Sequence, residues 1–144
     1  MNMTKMARTL AFAGLACCLG CDSDVVEVKL VDNGVAKCRI VLDEGATPPE
    51  RFGAAELAKY LSRATGCGEL NGAYPICVKV KGHPALKEDG FAIEVTPEKM
   101  TIVGANPRGA LSGCYEILKR SAGMRWVAPG EDCEYCVLAG KSVT

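Results

Sequence analysis

Apolar and polar positions along the chain change their spacing in a way that separates strands from helices. Alternation with a period of two is typical of a strand with one buried face, and here it is interrupted by turn sequences. Asn33-Gly34 tolerates positive φ and predicts a hairpin turn, and residues 96–99 predict a second one. Five segments alternate and are predicted to be strands: residues 25–31, 37–42, 74–80, 91–95 and 100–104.

Two further segments have helical spacing and clear start signals. Thr47 is the predicted N-cap of the first helix, with Pro48 at its first position and Glu50 three residues after the cap, which is the pattern of a capping box. Asn106 and Pro107 give the second helix the same kind of start, and a glycine ends each helix. The apolar stripes are Ala54, Leu57, Ala58, Leu61 and Ala64 in the first helix, and Leu111, Cys114, Tyr115, Leu118 and Ala122 in the second.

The order of these elements is β-β-α-β-β-β-α, and each helix has a single apolar stripe. We therefore predict an α+β fold, a two-layer sandwich in which both helices pack on one face of a mostly antiparallel sheet of about five strands. Phe52, Phe91 and Tyr115 fall in core-like registers. The second face of the sheet is predicted to carry an apolar patch formed by Val41, Ala92, Thr101 and Val103.

The first 21 residues have the pattern of an export signal. Lys5 and Arg8 precede an uncharged apolar run of about a dozen residues, which is too short to span a bilayer comfortably, and an acidic segment follows. A lipoprotein-type signal would place the lipid on Cys21, with Cys18 as the alternative, and cleavage without lipid is also compatible with the pattern. The prediction is an exported protein of the periplasm or cell surface, with its folded domain in residues 22–136 and a tail in residues 137–144.

Charge and cysteine content limit the possible partners. The chain has 17 basic and 17 acidic residues, so loss of the signal would leave a small acidic excess and no basic patch for nucleic acid. Beyond the predicted export signal, Cys133 and Cys136 form the only C-x-x-C motif, and His83 is the only histidine of the chain, so no metal site is predicted. Disulfides are open to an exported chain, but the irregular spacing leaves the pairing undecided, and Cys38 and Cys114 are predicted to be buried apolar residues.

The passage 104–109, with the sequence GANPRG, resembles a dinucleotide-binding fingerprint. The second glycine of that fingerprint is replaced by Asn106, and the preceding strand belongs to a hairpin rather than to a parallel βαβ unit, so no cofactor is predicted. No catalytic residue is predicted either.

Two candidate ligand contacts remain. Trp126 with Arg125 could form a sugar platform or could close the edge of the core. Arg108 could reach an anionic sugar or could pair with a nearby acid.

Three stretches taken together resemble a known accessory domain. They are AAELAKYL followed by TG in residues 54–66, the GANPRG passage between a strand and a helix, and RWVAPGE in residues 125–131. In this order they are similar to the N-terminal α/β domain that precedes the barrel of microbial α-glucuronidases, and to the second domain of β-N-acetylhexosaminidases. The front of large exported bacterial glycosidase-like proteins is similar too. The resemblance covers about residues 25–135, and Cys114, Cys133 and Cys136 depart from it.

This resemblance implies a supporting role. In those families the domain is not catalytic, and the carboxylates that cleave the sugar bond lie on a (β/α)8 barrel of about 250 residues. Residues 137–144 would then be a truncated junction to a missing barrel. The expected partners are that barrel and, through it, a polysaccharide, and the membrane would be met only through a lipid anchor. The alternative is a stand-alone cell-surface module that binds carbohydrate or protein.

Overall fold

The computed structural model describes residues 26–81, 85–127, 134–136 and 144, and of residues 134–136 the backbone alone. The predicted export signal, the lipid site at Cys21 or Cys18, His83 and Cys133 lie outside these residues. The strands are β1 (Val31–Asp32), β2 (Val35–Ala36), β3 (Cys38–Leu42), β4 (Tyr74–Val80), β5 (Phe91–Val95), β6 (Met100–Gly104), β7 (Met124–Trp126) and β8 (Glu134–Cys136). The helices are α1 (Pro48–Thr65) and α2 (Pro107–Ser121).

The first predicted turn is present, but the hairpin around it is short. Asn33 and Gly34 have φ values of 51° and 75°, which are the positive values that a tight hairpin turn requires. β1 and β2 pair antiparallel over only two residue pairs. From Cys38 onward the chain pairs with β4 instead, so the predicted return strand belongs to the main sheet.

The main sheet has four strands in the order β3-β4-β6-β5 and is mixed. β3 and β6 both run parallel to β4, and only β5 and β6 pair antiparallel. Because α1 carries the chain from the end of β3 back to the start of β4, these two strands run in the same direction. The α+β class and the β5–β6 hairpin are confirmed. The sheet is less antiparallel than predicted, because alternation within a strand carries no information about its direction.

Both helices begin and end as their sequences indicate, and they pack side by side on one face of the sheet. The backbone N–H and the hydroxyl of Thr47 donate to Glu50 Oε2 at 2.7 and 2.6 Å, and Gly66, with φ 69°, ends α1. The core between the helices and the sheet contains, among others, Leu57, Tyr60, Leu61, Ile76, Val78, Ile102, Leu118 and Met124.

One predicted core residue is misplaced. Phe52 is 54% exposed, whereas Tyr60 is only 1% exposed. The inward stripe of α1 passes through Gly53, Leu57, Tyr60 and Ala64, and Phe52 lies beside it rather than on it. Phe91 and Tyr115 are half-buried.

The second face of the sheet is free of the described helices and carries uncharged residues at its centre. Thr101 and Val103 are only 4% and 5% exposed, while Val41, Cys77 and Ala92 are half-buried. The predicted patch is therefore less open than expected. Val41, Cys77 and Thr101 lie in register across three strands, so each small side chain is flanked by neighbours.

Candidate functional site

Asn106 joins the start of α2 to the loop that precedes β5. Its Oδ1 accepts a hydrogen bond from the backbone N–H of Gly109 at 2.9 Å. Its Nδ2 donates to the carbonyl of Glu88 at 3.0 Å and to Asp89 Oδ1 at 2.7 Å. With Pro107 at the first helical position, one side chain caps the helix and holds the neighbouring loop.

The glycines of the same passage allow protein backbones to approach one another. A Cβ atom on Gly104 would lie 2.1 Å from the backbone nitrogen of Ala110, and one on Gly109 would lie 2.3 Å from the carbonyl oxygen of Gly90. In a dinucleotide fingerprint, a glycine lets the backbone approach a pyrophosphate. Here both close approaches are made to backbone of the protein itself, so this passage is a packing junction.

Arg108, one of the two candidate ligand contacts, lies at the exposed edge of that junction. Its side chain is 80% exposed, and its guanidinium lies 3.4 Å from the carboxylate of Asp89, which is itself 46% exposed. An ion pair this exposed contributes at most about 1 kcal/mol. The structure does not place Arg108 in the groove that contains the second candidate.

That groove lies beside α2 and β7 and has a volume of about 480 Å³. It is lined by Phe91, Ser112, Tyr115, Glu116, Lys119, Arg125 and Trp126. Trp126 is half-buried, and its ring meets those of Tyr60 and Tyr115 edge to face, with centroids 5.3 and 5.1 Å away. The indole is therefore anchored to both helices while it also forms part of the groove wall.

The polar groups of the groove are largely engaged. The guanidinium of Arg125 donates to the carbonyls of Lys119 and Met124 at 3.0 and 2.8 Å. Glu116 pairs with Arg120 on the same helix. Among the described residues that line the groove, Glu116 is the single carboxylate, whereas glycoside hydrolysis requires a pair of carboxylates across the bond.

Sequence reasoning found part of this groove and missed the rest. It identified Trp126 and Arg125 as neighbours that could bind a sugar. It did not find Ser112, Glu116 and Lys119, although their spacing of three and four residues places them on one side of α2. Tertiary packing alone brings that side of the helix to β7.

Burial makes two of the described cysteine side chains, Cys38 and Cys114, unreactive at neutral pH. Cys38, Cys67, Cys77 and Cys114 are free thiols, and all but Cys77 are buried. Burial raises the pKa of Cys114 to about 12, and burial together with the charge of Cys67 raises that of Cys38 to about 11. Cys38 and Cys114 therefore stay protonated near pH 7. Within the described ranges, no three potential ligand side chains are grouped around a metal position, and no helix has the length and apolar content of a membrane span.

Comparison with known proteins adds a distant likeness to a solved structure. No family model matches the chain, and no curated protein matches it. Among solved structures it is similar to a GH138 enzyme targeting pectin rhamnogalacturonan II, with 20% sequence identity and a TM-score of 0.49. The match covers 58% of this chain and 10% of that enzyme. The match therefore spans a small part of that enzyme's length, and a likeness of this size carries no argument about activity.

Proposed function

We propose that this chain is a non-catalytic accessory domain of an exported carbohydrate-active protein of the α-glucuronidase or hexosaminidase type. Its role is to pack against a catalytic barrel through the helix-free face of its sheet. The three motif stretches that resemble such domains support the proposal. The helix start at Asn106 is a packing junction, which is compatible with a supporting domain and supplies no chemistry of its own.

The observation that carries the proposal is the composition of the helix-free face. A sheet face in contact with water usually carries polar and charged residues along its strands. Here the central positions are uncharged and small. Of the charged residues described on this face, Arg39 and Glu94 lie on the edge strands β3 and β5, and Lys79 lies near the end of β4, opposite Val103. Thr101 and Val103 are already buried, so a further layer of protein would cover the half-buried residues Val41, Cys77 and Ala92.

Cys77 provides a natural probe of this face. It is half-buried in this chain and lies in register between Val41 and Thr101. Iodoacetamide labelling followed by mass spectrometry should modify Cys77 in the chain ending at Thr144. It should leave Cys77 protected in the product of the complete reading frame. Cys114, which is buried on the helix side, is the control and should stay unlabelled in both proteins. Equal labelling of Cys77 in the two proteins would contradict the proposed packing.

A charge placed on the same face tests whether the packing matters for activity. Ala92 is half-buried on β5, so the Ala92→Lys side chain can reach water in the isolated domain, and the melting temperature should change by less than about 3 °C. In the complete protein it should lower glycosidase activity at least tenfold. Ala55→Lys adds the same charge on the exposed side of α1 and should have no effect. Full activity of the Ala92→Lys protein would count against the proposal.

A second candidate function is a stand-alone module that binds carbohydrate, and the groove beside β7 favours it. Phe91, Tyr115 and Trp126 give this groove aromatic walls, and Lys119 adds an exposed cation. Calorimetric titration of the chain with uronate-containing oligosaccharides is the test. Binding that is weakened by Lys119→Ala, but not by Lys99→Ala in the β5–β6 turn, would support the module. Absence of heat at millimolar oligosaccharide would exclude it.

A further inference from the structure

The end of α1 and the start of β3 lie close together in the β3–α1–β4 unit, in which α1 connects the two parallel strands. A helix in such a unit runs antiparallel to its strands, so the residues that follow α1 lie near the first residues of β3. Cys67 comes directly after Gly66, which ends α1, and Cys38 is the first residue of β3. The segment that begins at Cys67 is also fastened to this strand, because the backbone N–H of Gly72 donates to the carbonyl of Cys38 at 2.8 Å.

The two thiols share one buried environment. Cys38 and Cys67 are 0% and 1% exposed and belong to the same core cluster. Burial raises the pKa of the Cys38 thiol to about 11, and the charge of a Cys67 thiolate contributes to that rise. The turn before β3 also lies against the end of α1, because a Cβ atom built on Gly34 would lie 3.8 Å from the carbonyl oxygen of Thr65. Cys114 belongs to the same cluster, but it lies on α2 and its sulfur faces Gly53 in the first half of α1, away from the end of that helix.

We propose that Cys38 and Cys67 form a disulfide bond when the chain folds under oxidising conditions. The two thiols lose two protons and two electrons, and an S–S bond forms between them. The electrons reduce a disulfide oxidant, such as glutathione disulfide or a dithiol oxidase, whose own S–S bond breaks to give two thiols. Because both residues are buried in the folded domain, the exchange takes place before the core closes. The bond fastens β3 to the segment after α1, and this inference does not depend on the accessory role.

A bond here closes a loop of about 30 residues, so it should stabilise the domain mainly by restricting the unfolded chain. The melting temperature of the oxidised protein should exceed that of the reduced protein by about 10 °C or more. The Cys67→Ser variant should lose this difference between oxidising and reducing buffer. Cys114→Ser should keep it, because Cys114 takes no part in the bond.

Peptide mapping tests the proposal without any substitution. The full chain is refolded in glutathione buffer, alkylated and digested with a protease that cleaves after glutamate, under non-reducing conditions. Such cleavage places Cys38 in residues 28–44 and Cys67 in residues 57–69, so the bond would appear as one mass joining these two peptides. The expected result is that mass, which disappears after reduction. Recovery of either peptide as the alkylated thiol, or joined to a different cysteine, would overturn the pairing.

Discussion

The contact between Gly104 and the first turns of α2 predicts that Gly104→Ala destabilises the domain. A Cβ atom at this position would lie 2.1 Å from the backbone nitrogen of Ala110 and 2.5 Å from the carbonyl oxygen of Asn106. Both are backbone atoms of the region that begins α2, so the contact cannot be relieved by rotation of a side chain. The start of the helix must instead move by about 1 Å or more away from β6, and overpacking of this kind typically costs about 1–3 kcal/mol.

A smaller effect opposes this cost. Alanine restricts the unfolded chain more than glycine does, which stabilises the folded protein by about 0.4–1 kcal/mol where the backbone conformation permits alanine. The net loss for Gly104→Ala is therefore about 1–2 kcal/mol, or a fall in melting temperature of roughly 5–15 °C for a domain of this size. Urea unfolding followed by circular dichroism measures the loss directly.

Gly68→Ala is the matched control for this experiment. Gly68 is exposed, and a Cβ atom built there meets no atom within 4 Å. The control variant should retain wild-type stability or gain slightly. If the free energy of unfolding of Gly104→Ala lay within about 0.5 kcal/mol of that of Gly68→Ala, the assignment of the GANPRG passage as a packing junction would be refuted.

The remaining predictions concern the helix cap and the buried thiols. Asn106→Ala should cost about 1–2 kcal/mol because it removes the cap of α2 and the hydrogen bonds to the loop before β5. Arg108→Ala removes only an exposed ion pair and should cost less than about 0.5 kcal/mol. Equal losses of unfolding free energy for Asn106→Ala and Arg108→Ala, measured in urea, would contradict this difference. Burial raises the pKa of Cys38 from 9.0 to about 11 and that of Cys114 from 9.0 to about 12, so the unfolded chain loses these protons first. Stability of the reduced protein should therefore be full below pH 9 and fall as the pH rises above it, by up to about 1.4 kcal/mol per pH unit for each thiol. Identical urea midpoints at pH 8 and pH 10 would contradict this prediction.

The helices could be predicted closely because their starts are encoded locally. Thr47 with Glu50, and Asn106 with Pro107, satisfy backbone groups within one turn, and the observed helices begin directly after these caps. The direction of β3 relative to β4 could not be predicted in the same way. It depends on how α1 returns the chain across the sheet, and alternation within either strand is the same for parallel and antiparallel pairing.

The groove beside β7 also could be predicted only in part from the sequence. The residue type of Trp126 makes it a candidate ligand contact in the sequence, but the sequence does not show which aromatic rings contact it. Tyr60 and Tyr115 lie on different helices and meet the indole only through the packing of α1 against α2. Tyr60 is buried although it carries a hydroxyl group, whereas Phe52, predicted to be in a core-like register, is exposed. The position of a residue relative to the stripe of α1 decides its burial, and residue type alone does not.

The accessory role is tested most directly by reading the coding sequence of the locus past the codon for Thr144. The account predicts a continuing sequence of about 250 residues with the alternating strand and helix pattern of a (β/α)8 barrel. That sequence would lie in the same frame or beyond a single frameshift or stop, and would carry the paired carboxylates of a glycoside hydrolase. A locus in which no barrel-coding sequence follows would contradict the account and would leave the stand-alone binding module in its place.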